Sequence, residues 1–459
     1  MINYKTKEQV LKKAQTLLNK SLRGIISQET IKSIENQIGI YEMKRKGFLG
    51  DLVEKYFFEI NPGNISEPDF TIAGVELKTT PLKKHVKNMF SSKERLVFSM
   101  INYDTVVNET WKLSSFLKKN KTLLLMFYLW IENQSILDYE FKFAHLLNLL
   151  EDISEEDVFQ IQKDWEYIVA KIKRGEAHLL SEGDTYYLGA CTKAANSRVV
   201  RDQPMNRTPA KPRAFSFKQQ YINYLIQTQL LGRKTNTDSI FKKQRRLETI
   251  EDVIKEKLTP FIGKTDKEII VTLNVSLNSK SKNYKRSLVN RILEIDSSKI
   301  EEFEKANITL KVITLEHTGK LRESISFPAF DYKKIATEIW YDEDNETMAD
   351  FHLQLETKKF LFVIFQKQKY ANDIIFKKII FWNFPMKDIG EAEKVWQKTK
   401  DCVNEGRYED LPKIAESNVT HVRPHGENAL DTTETPQGTM EMKKCFWLNA
   451  KYIQQALEI

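Results

Sequence analysis

The sequence predicts a mixed α/β (α+β) protein built as two tandem domains of similar shape, with a reactive centre in the first and a degenerate copy in the second. Three observations predict it. At 459 residues the chain is too long for one ordinary hydrophobic core, and an apolar content of 41% is enough to fill two. A collinear set of residue matches joins the first half to the second. A short charged strand around residue 76 has no charged counterpart in the second copy.

The duplication begins at the first helical stretch. Thr6, Glu8 and Val10 recur as Thr249, Glu251 and Val253, and Lys20, Ile25 and Ile26 recur as Lys264, Ile269 and Ile270. Leu52 and Val53, in a helix-like stretch that follows a basic segment, recur as Leu288 and Val289. The apolar run Lys121 to Tyr128, KTLLLMFY, suits a buried strand and matches Lys358 to Phe365, KKFLFVIF. Beyond it the offset settles at 231 residues, pairing Trp165 with Trp396, Gly175 with Gly406, Phe215 with Phe446, Tyr221 with Tyr452 and Ile222 with Ile453. Chance supplies any one of these pairs but not their common order. Each half therefore holds a helical start, strands, a Trp-bearing helix and a closing helix. The first domain is expected over residues 1–235, a basic polar linker over 236–248 and the second domain over 249–459. Residues 416–439, with Pro424, Gly426, Pro436 and Gly438, read as the most loop-like part of the second half.

Composition narrows the function classes. The 71 Lys and Arg exceed the 63 Asp and Glu, giving a net charge of +8 that is compatible with nucleic acid without demanding it. Cys191, Cys402 and Cys445 are scattered and odd in number, so neither a disulfide framework nor a zinc site follows, and a reducing cytoplasm is expected. The amino terminus is charged from the start, and the longest apolar run, Thr122 to Ile131, is too short to span a bilayer, so no membrane partner is expected.

The chemistry centres on Asp69-Phe70-Thr71-Ile72-Ala73-Gly74-Val75-Glu76-Leu77-Lys78. In a strand, Glu76 and Lys78 point to one face while Val75 and Leu77 point into the core, and Asp69 falls on the other arm of a tight hairpin through Gly74. Two carboxylates suit a hard ion such as Mg²⁺, and a neighbouring ammonium can polarise a water and offset charge on a phosphate under attack. A solvated strand face would show the same alternation. The duplicate offers a control: laid on the second copy, Val75 falls on Val312, Glu76 on Ile313, Lys78 on Leu315, Asp69 near Ala306 and Glu54 on Asn290. On this alignment all four charges are lost together, and one chemical centre is expected per chain.

Four stretches then carry a family resemblance: Lys46 to Glu54 (KGFLGDLVE); Asp69 to Pro81; Asp164-Trp165-Glu166 with Lys193-Ala194-Ala195-Asn196; and Pro212-Arg213-Ala214-Phe215 with Phe217-Lys218. The first domain resembles the MutH mismatch-repair nicking endonucleases. Nearly the whole chain resembles the two-domain type II restriction endonucleases that share this fold and recognise 5'-GATC-3'. The resemblance implies a PD-(D/E)xK nuclease in which Asp69 and Glu76 bind Mg²⁺, Lys78 orients or activates the water, Glu54 supports the site from the preceding helix, and Lys119, or else Lys121, supplies a further active-site lysine. It also implies cleavage of double-stranded DNA, a methyltransferase partner in a restriction-modification system, and a second domain that binds another DNA site. Where MutH has a base-reading arginine this chain has Cys191 or Thr192, and Ser216 replaces a family tyrosine.

DNA contacts are expected from Lys46, Lys193, Asn196, Arg198, Arg213 and Lys218, in segments rich in groups that meet phosphates and base edges; Arg201, Asn206, Arg207 and Lys211 lie in the same stretch. Phe215, Phe217, Phe446 and Trp447 are expected in the core. A palindrome cut in both strands needs two centres, so a monomer that dimerises or loops DNA on binding is expected. Strand nicking in repair and DNA binding without catalysis are the alternatives.

Overall fold

The structure is a computed structural model describing residues 4–37, 47–63, 66–86, 89–193, 198–241, 247–296, 299–342, 347–426, 428 and 430–459. Helix α1 (Lys7–Gln15) is started by a capping box, in which the Thr6 hydroxyl accepts from Gln9 N and the Gln9 side chain accepts from Thr6 N. Helices α2 (Gln28–Gln37) and α3 (Phe48–Leu52) follow, and α3 runs on as a π-helical turn over Val53–Phe58. Strands β1 (Glu76–Lys84), β2 (Phe90–Ser92) and β3 (Leu96–Met100) lead through short helices α4 (Tyr103–Val106) and α5 (Ser115–Asn120) to β4 (Thr122–Leu129) and β5 (Phe141–Asn148). Four of these strands form one sheet in the order β2-β1-β4-β5, with β1 parallel and β5 antiparallel to β4. Helix α6 (Glu155–Lys173), β6 (Leu188–Thr192), the hairpin β7 (Arg201–Gln203) and β8 (Asn206–Ala210), β9 (Arg213–Phe217) and α7 (Gln219–Leu225) complete the domain, β3-β9-β6 forming a second, antiparallel sheet.

The second half repeats this order. Helices α8 (Ile250–Leu258), α9 (Asp266–Leu273), α10 (Tyr284–Ile292) and α11 (Glu301–Ala306) precede β10 (Ile308–Leu315) and β11 (Ile325–Ala329). Helix α12 (Tyr332–Thr337), the small ladder β12 (Tyr341–Asp342) and β13 (Thr347–Met348), and α13 (Asp350–Thr357) lead to β14 (Lys359–Lys367) and β15 (Ile374–Asn383). Helix α14 (Ile389–Asn404), β16 (Thr420–Pro424), the hairpin β17 (Thr432–Glu434) and β18 (Met440–Met442), β19 (Lys444–Leu448) and α15 (Ala450–Ala456) follow. The sheets are β10-β14-β15, again parallel then antiparallel, and β11-β19-β16. Residues 416–439 are less loop-like than expected, because they hold β16 and β17; Pro424 is tolerated as the last residue of an edge strand.

Side-chain packing repeats as closely as topology. Phe116 meets Phe98, Trp111 and Phe215, and Trp111 meets Trp165. Phe351 in turn meets Phe327, Trp340 and Phe446, and Trp340 meets Trp396. Gly175 and Gly406 both take positive φ, 73° and 69°, just past the ends of α6 and α14, where glycine satisfies a helix terminus without strain. Tyr221 donates to Asp157 and Tyr452 to Asp388, so the closing helix is tied in both domains to the beginning of the Trp-bearing helix.

The domains do not sit apart on a loose tether. One apolar cluster runs from Trp165, Tyr187 and Phe217 of the first domain into Ile254, Phe303 and Leu361 of the second. Polar pairs cross at its edge: Arg213 Nη1 donates to Glu356 at 3.1 Å, Lys305 Nζ to Asp157 at 3.1 Å, Lys359 Nζ to Asp184 O at 2.7 Å and Tyr186 to Glu251 at 2.7 Å. Even the expected linker is packed at its start, with Ile240 buried and its N–H donating to Glu302 at 3.0 Å.

Candidate active site

The local sequence fixes the hinge of the site. Val75 and Leu77 are buried on the helix-covered face of β1 among Leu52, Val53 and Phe58, which leaves Glu76 and Lys78 on the opposite face. The arm expected as a strand before Gly74 is a turn closed by a single bridge, Phe70 to Val75, with Gly74 at φ 66°. Phe70 is pinned edge-on by Tyr4 and Phe58, so Asp69 is held at a defined place. Asp69 Oδ2 accepts from Leu77 N at 2.9 Å, and Asp69 N donates to Glu76 Oε2 at 3.2 Å. These crossed bonds lock the two carboxylates side by side.

Two lysines face them. Lys78 Nζ donates to Glu76 Oε1 at 2.7 Å and to Phe98 O at 3.3 Å, while Lys119 Nζ, from α5, lies 3.6 Å from the same Glu76 oxygen. Lys121 is exposed and does not line the cavity. Glu54 enters from the π-helical turn, one residue beyond Val53, and Asp51 lies one helical turn earlier on the same face. A cavity of about 310 Å³ is lined by Asp51, Glu54, Asp69, Glu76, Lys78 and Lys119. It shares Asp51, Glu54, Leu77 and Lys78 with an adjoining cavity of about 280 Å³ that ends at Arg95 and Lys193. The two form one trough. Asp51 was not singled out by motif, although its spacing of three from Glu54 on a helix was the available signal.

Burial and crowding of like charge dominate the electrostatics. Desolvation, then repulsion from Asp69, Asp51 and Glu76, pushes the Glu54 carboxyl up to about 8. Desolvation and Glu76 push Asp69 up to about 7, against the pull of the Leu77 N–H and the two lysines. Such a pocket favours a cation that relieves the repulsion. Among the described residues no three His, Cys, Asp or Glu side chains enclose an ion by themselves. Asp69 and Glu76 fit an ion that keeps water and phosphate oxygens in its remaining positions, as Mg²⁺ does.

The expected DNA contacts divide. Lys193 is half-buried at the end of the trough and Arg198 is exposed, as are Arg201 and Arg207 on the β7–β8 hairpin. Lys46 and Asn196 lie outside the described residues. Arg213 and Lys218 require correction. Arg213 is 3% exposed, donates to the carbonyls of Ala190 and Leu180 and pairs with Glu356; Lys218 is fully buried and donates to Thr185 O at 2.6 Å. Both are buried at the seam between domains and bonded there to protein groups, so the structure gives them a structural role in place of the expected surface contact. Phe215, Phe217 and Phe446 are core residues as expected, while Trp447 is half-buried beneath Arg423.

The second copy also requires correction. Lys78 lies beside Leu125 of β4, and Lys311 lies beside Phe362 of β14, at the same place in the matched runs KTLLLMFY and KKFLFVIF. Gly74 and Asn307, both at positive φ, stand two residues before Glu76 and Thr309. The partner of Val75-Glu76-Leu77-Lys78 is therefore Ile308-Thr309-Leu310-Lys311, four residues before the alignment expected from sequence. The lysine stays but loses its acids: Thr309 stands for Glu76 and Asn290 for Glu54, and Glu302, seven residues before Thr309 as Asp69 is before Glu76, is turned to Ser239 and Ile240. Helix α11 occupies the place of the turn that carries Asp69.

Comparison with known proteins gives the family. The model of the family described as DNA mismatch repair enzyme MutH matches residues 58–164. The chain is 32% identical to type II restriction enzyme Sau3AI of Staphylococcus aureus, over 100% of this chain and 99% of that one. DNA mismatch repair protein MutH of Shigella flexneri serotype 5b is 27% identical over 48% of this chain and 92% of its own, and that of Shewanella woodyi is 29% identical over 38% and 72%. This chain belongs to the family of two-domain, MutH-like type II restriction enzymes, which are site-specific deoxyribonucleases.

Proposed function

We propose that, as a member of this family, the protein cuts both strands of duplex DNA at 5'-GATC-3' with Mg²⁺, using one centre per chain. The observation that carries the chemistry is the pair of carboxylates, Asp69 and Glu76, locked to each other's backbone beside two lysines. When bound there, Mg²⁺ would supply charge to offset that developing on the phosphoryl oxygens. Asp69 and Glu76 would hold it. Lys78, on the same strand face as Glu76, orients the attacking water and stabilises it as its proton leaves. Lys119 holds the scissile phosphate, and Glu54 completes the acidic wall. Lys193 and Arg198, with Lys46 and Asn196, grip the DNA alongside the trough, so binding weakens steeply with salt.

Restriction is favoured over repair nicking because the MutH relatives match about half of this chain while the Sau3AI relative matches all of it. The domains meet between residues 235 and 249, and the second acts as an effector that binds a further DNA site. A chain that is monomeric in solution then dimerises or loops DNA to cut both strands. The protein acts in the cytoplasm beside a methyltransferase that protects host DNA; no helix among the described residues is long and apolar enough to cross a membrane.

The test is incubation of the full chain with plasmid DNA and Mg²⁺, mapping of the ends, and the same with Asp69→Ala. Double-strand ends at GATC that vanish in the variant are expected. Cutting that persists in Asp69→Ala, or absence of any Mg²⁺-dependent cutting by the natural chain, would overturn the reading.

A further inference from the structure

The second domain did not merely lose its centre. Where the first domain gathers Glu54, Asp69 and Glu76 around its lysines, the second gathers cations alone. Lys311 stands at the Lys78 position, and its Nζ donates to Ser326 O at 3.3 Å, as Lys78 donates to Phe98 O on the matching strand. Arg286, on α10, donates from Nη1 to Leu310 O at 3.0 Å, the carbonyl one residue before Lys311. Lys358, at the entry to β14, donates to Gln354 Oε1 at 3.4 Å. Thr309 and the amide of Asn290 replace the Glu76 and Glu54 carboxylates.

All three cations are half-buried, and among the described residues none forms an ion pair. Arg286 reaches the carbonyl next to Lys311, and the charges feel one another: burial first, then Arg286, holds the Lys311 ammonium below its usual range, and burial, then Lys311, does the same to Lys358. Holding partly desolvated cations near one another costs free energy that a bound anion would offset. Lone carbonyls satisfy their N–H groups without neutralising their charge. An ammonium, Lys311, with an arginine fork on one side and a second ammonium beyond is the chemistry that recognises a phosphate.

We propose that Arg286, Lys311 and Lys358 form a phosphodiester-binding site, built around the lysine that matches Lys78, that grips the backbone of duplex DNA without cutting it. The anion site stands on the residues just named; DNA as the source of the phosphate rests on the effector reading above. A centre that took a metal through carboxylates has become one that takes the phosphate directly.

The test uses the full chain carrying Lys311→Gln and Lys358→Gln together, with Lys358→Gln alone as a milder variant. Without added anion, the thermal midpoint is expected to hold or rise, because a cation is removed from contact with others; a purely structural role would lower it. With inorganic phosphate, the natural chain gains midpoint that the double variant does not. Binding to a short duplex is then measured without divalent metal across a salt series. The slope of log affinity against log salt is expected to fall by about 1 to 2 in the double variant, or about threefold in affinity per lost contact between 50 and 200 mM salt, with Lys311→Arg/Lys358→Arg restoring it. An unchanged slope with phosphate protection intact in the double variant overturns the site. Phosphate protection without any change on the duplex assigns a small phosphate ligand and overturns DNA. Plasmid cleavage is scored separately, so loss of the nuclease reading would not be mistaken for loss of this one.

Discussion

Strands β1 and β10 each run parallel to the central strand of their sheet, in the same register and with the same Leu-Lys ending to their opening tetrad, yet one borders a metal-fitting centre and the other a cluster of cations. The difference lies in few groups: Glu76 against Thr309, Glu54 against Asn290, and a turn carrying Asp69 against helix α11. Backbone geometry is thus common to both domains, and chemistry is set by the side chains it displays.

Removing an acid from the first domain should bring the two closest together. Glu76→Gln is expected to lower cleavage by at least about 10³-fold while leaving the thermal midpoint equal or higher, since a crowded carboxylate is lost; end-labelled duplex cleavage and a melting curve check both halves of that expectation. Next in size is the seam. Glu356→Ala leaves Arg213 buried without its partner and should cost about 3–5 kcal/mol in denaturant unfolding, with the domains melting together because they share a core; unchanged stability would mean that the seam opens in solution. Lys119→Met should slow cleavage by about 10²-fold while the exposed Lys121→Met leaves it alone, a contrast read in single-turnover rates.

Lys218 sharpens the comparison through pH. It caps α7 where Asn449 caps α15, but only Lys218 is drawn into the seam, reaching Ala306 O of the other domain at 3.4 Å. Desolvation, then Lys359, lowers its ammonium to about 8. Because the folded pKa lies below the unfolded one, the folded chain binds fewer protons between about pH 8 and 10.5, and its stability relative to Lys218→Met rises across that window. The gain is on the order of 3 kcal/mol and is absent below pH 7; parallel stability curves for the two proteins would show that the lysine is solvated. The smallest effect is expected from Thr309→Glu. One carboxylate without a counterpart to Asp69 beside it builds no second centre, so cleavage by the chain stays the same within error, whereas a measurable gain would mean that α11 yields easily to the turn.

Much of this could be read from residues alone. Thr6 and Thr249 each open a helix with a capping box, KTLLLMFY and KKFLFVIF are the buried strands their apolar runs suggest, and Glu76 and Lys78 share a face because a strand alternates. The strand register in the second copy differs from the one the apolar pattern predicts for the same reason. A period of two lets an apolar pattern slide without penalty in sequence, and the Leu-Lys pair shared by residues 77–78 and 310–311 was the signal that fixed it.

What the sequence by itself determined is the local chemistry: which residues alternate, where helices start, and which acids and lysines lie within reach along one strand. What only the tertiary structure decided is which charges meet water. Arg213 and Lys218 look like DNA contacts in a basic stretch, yet Glu356, 143 residues further on, and the carbonyl of Ala306 bury them, while Arg286, Lys311 and Lys358, unremarkable along the chain, converge as neighbours. Burial depends on contacts between distant segments, and a charge takes its meaning from the partner that burial leaves it.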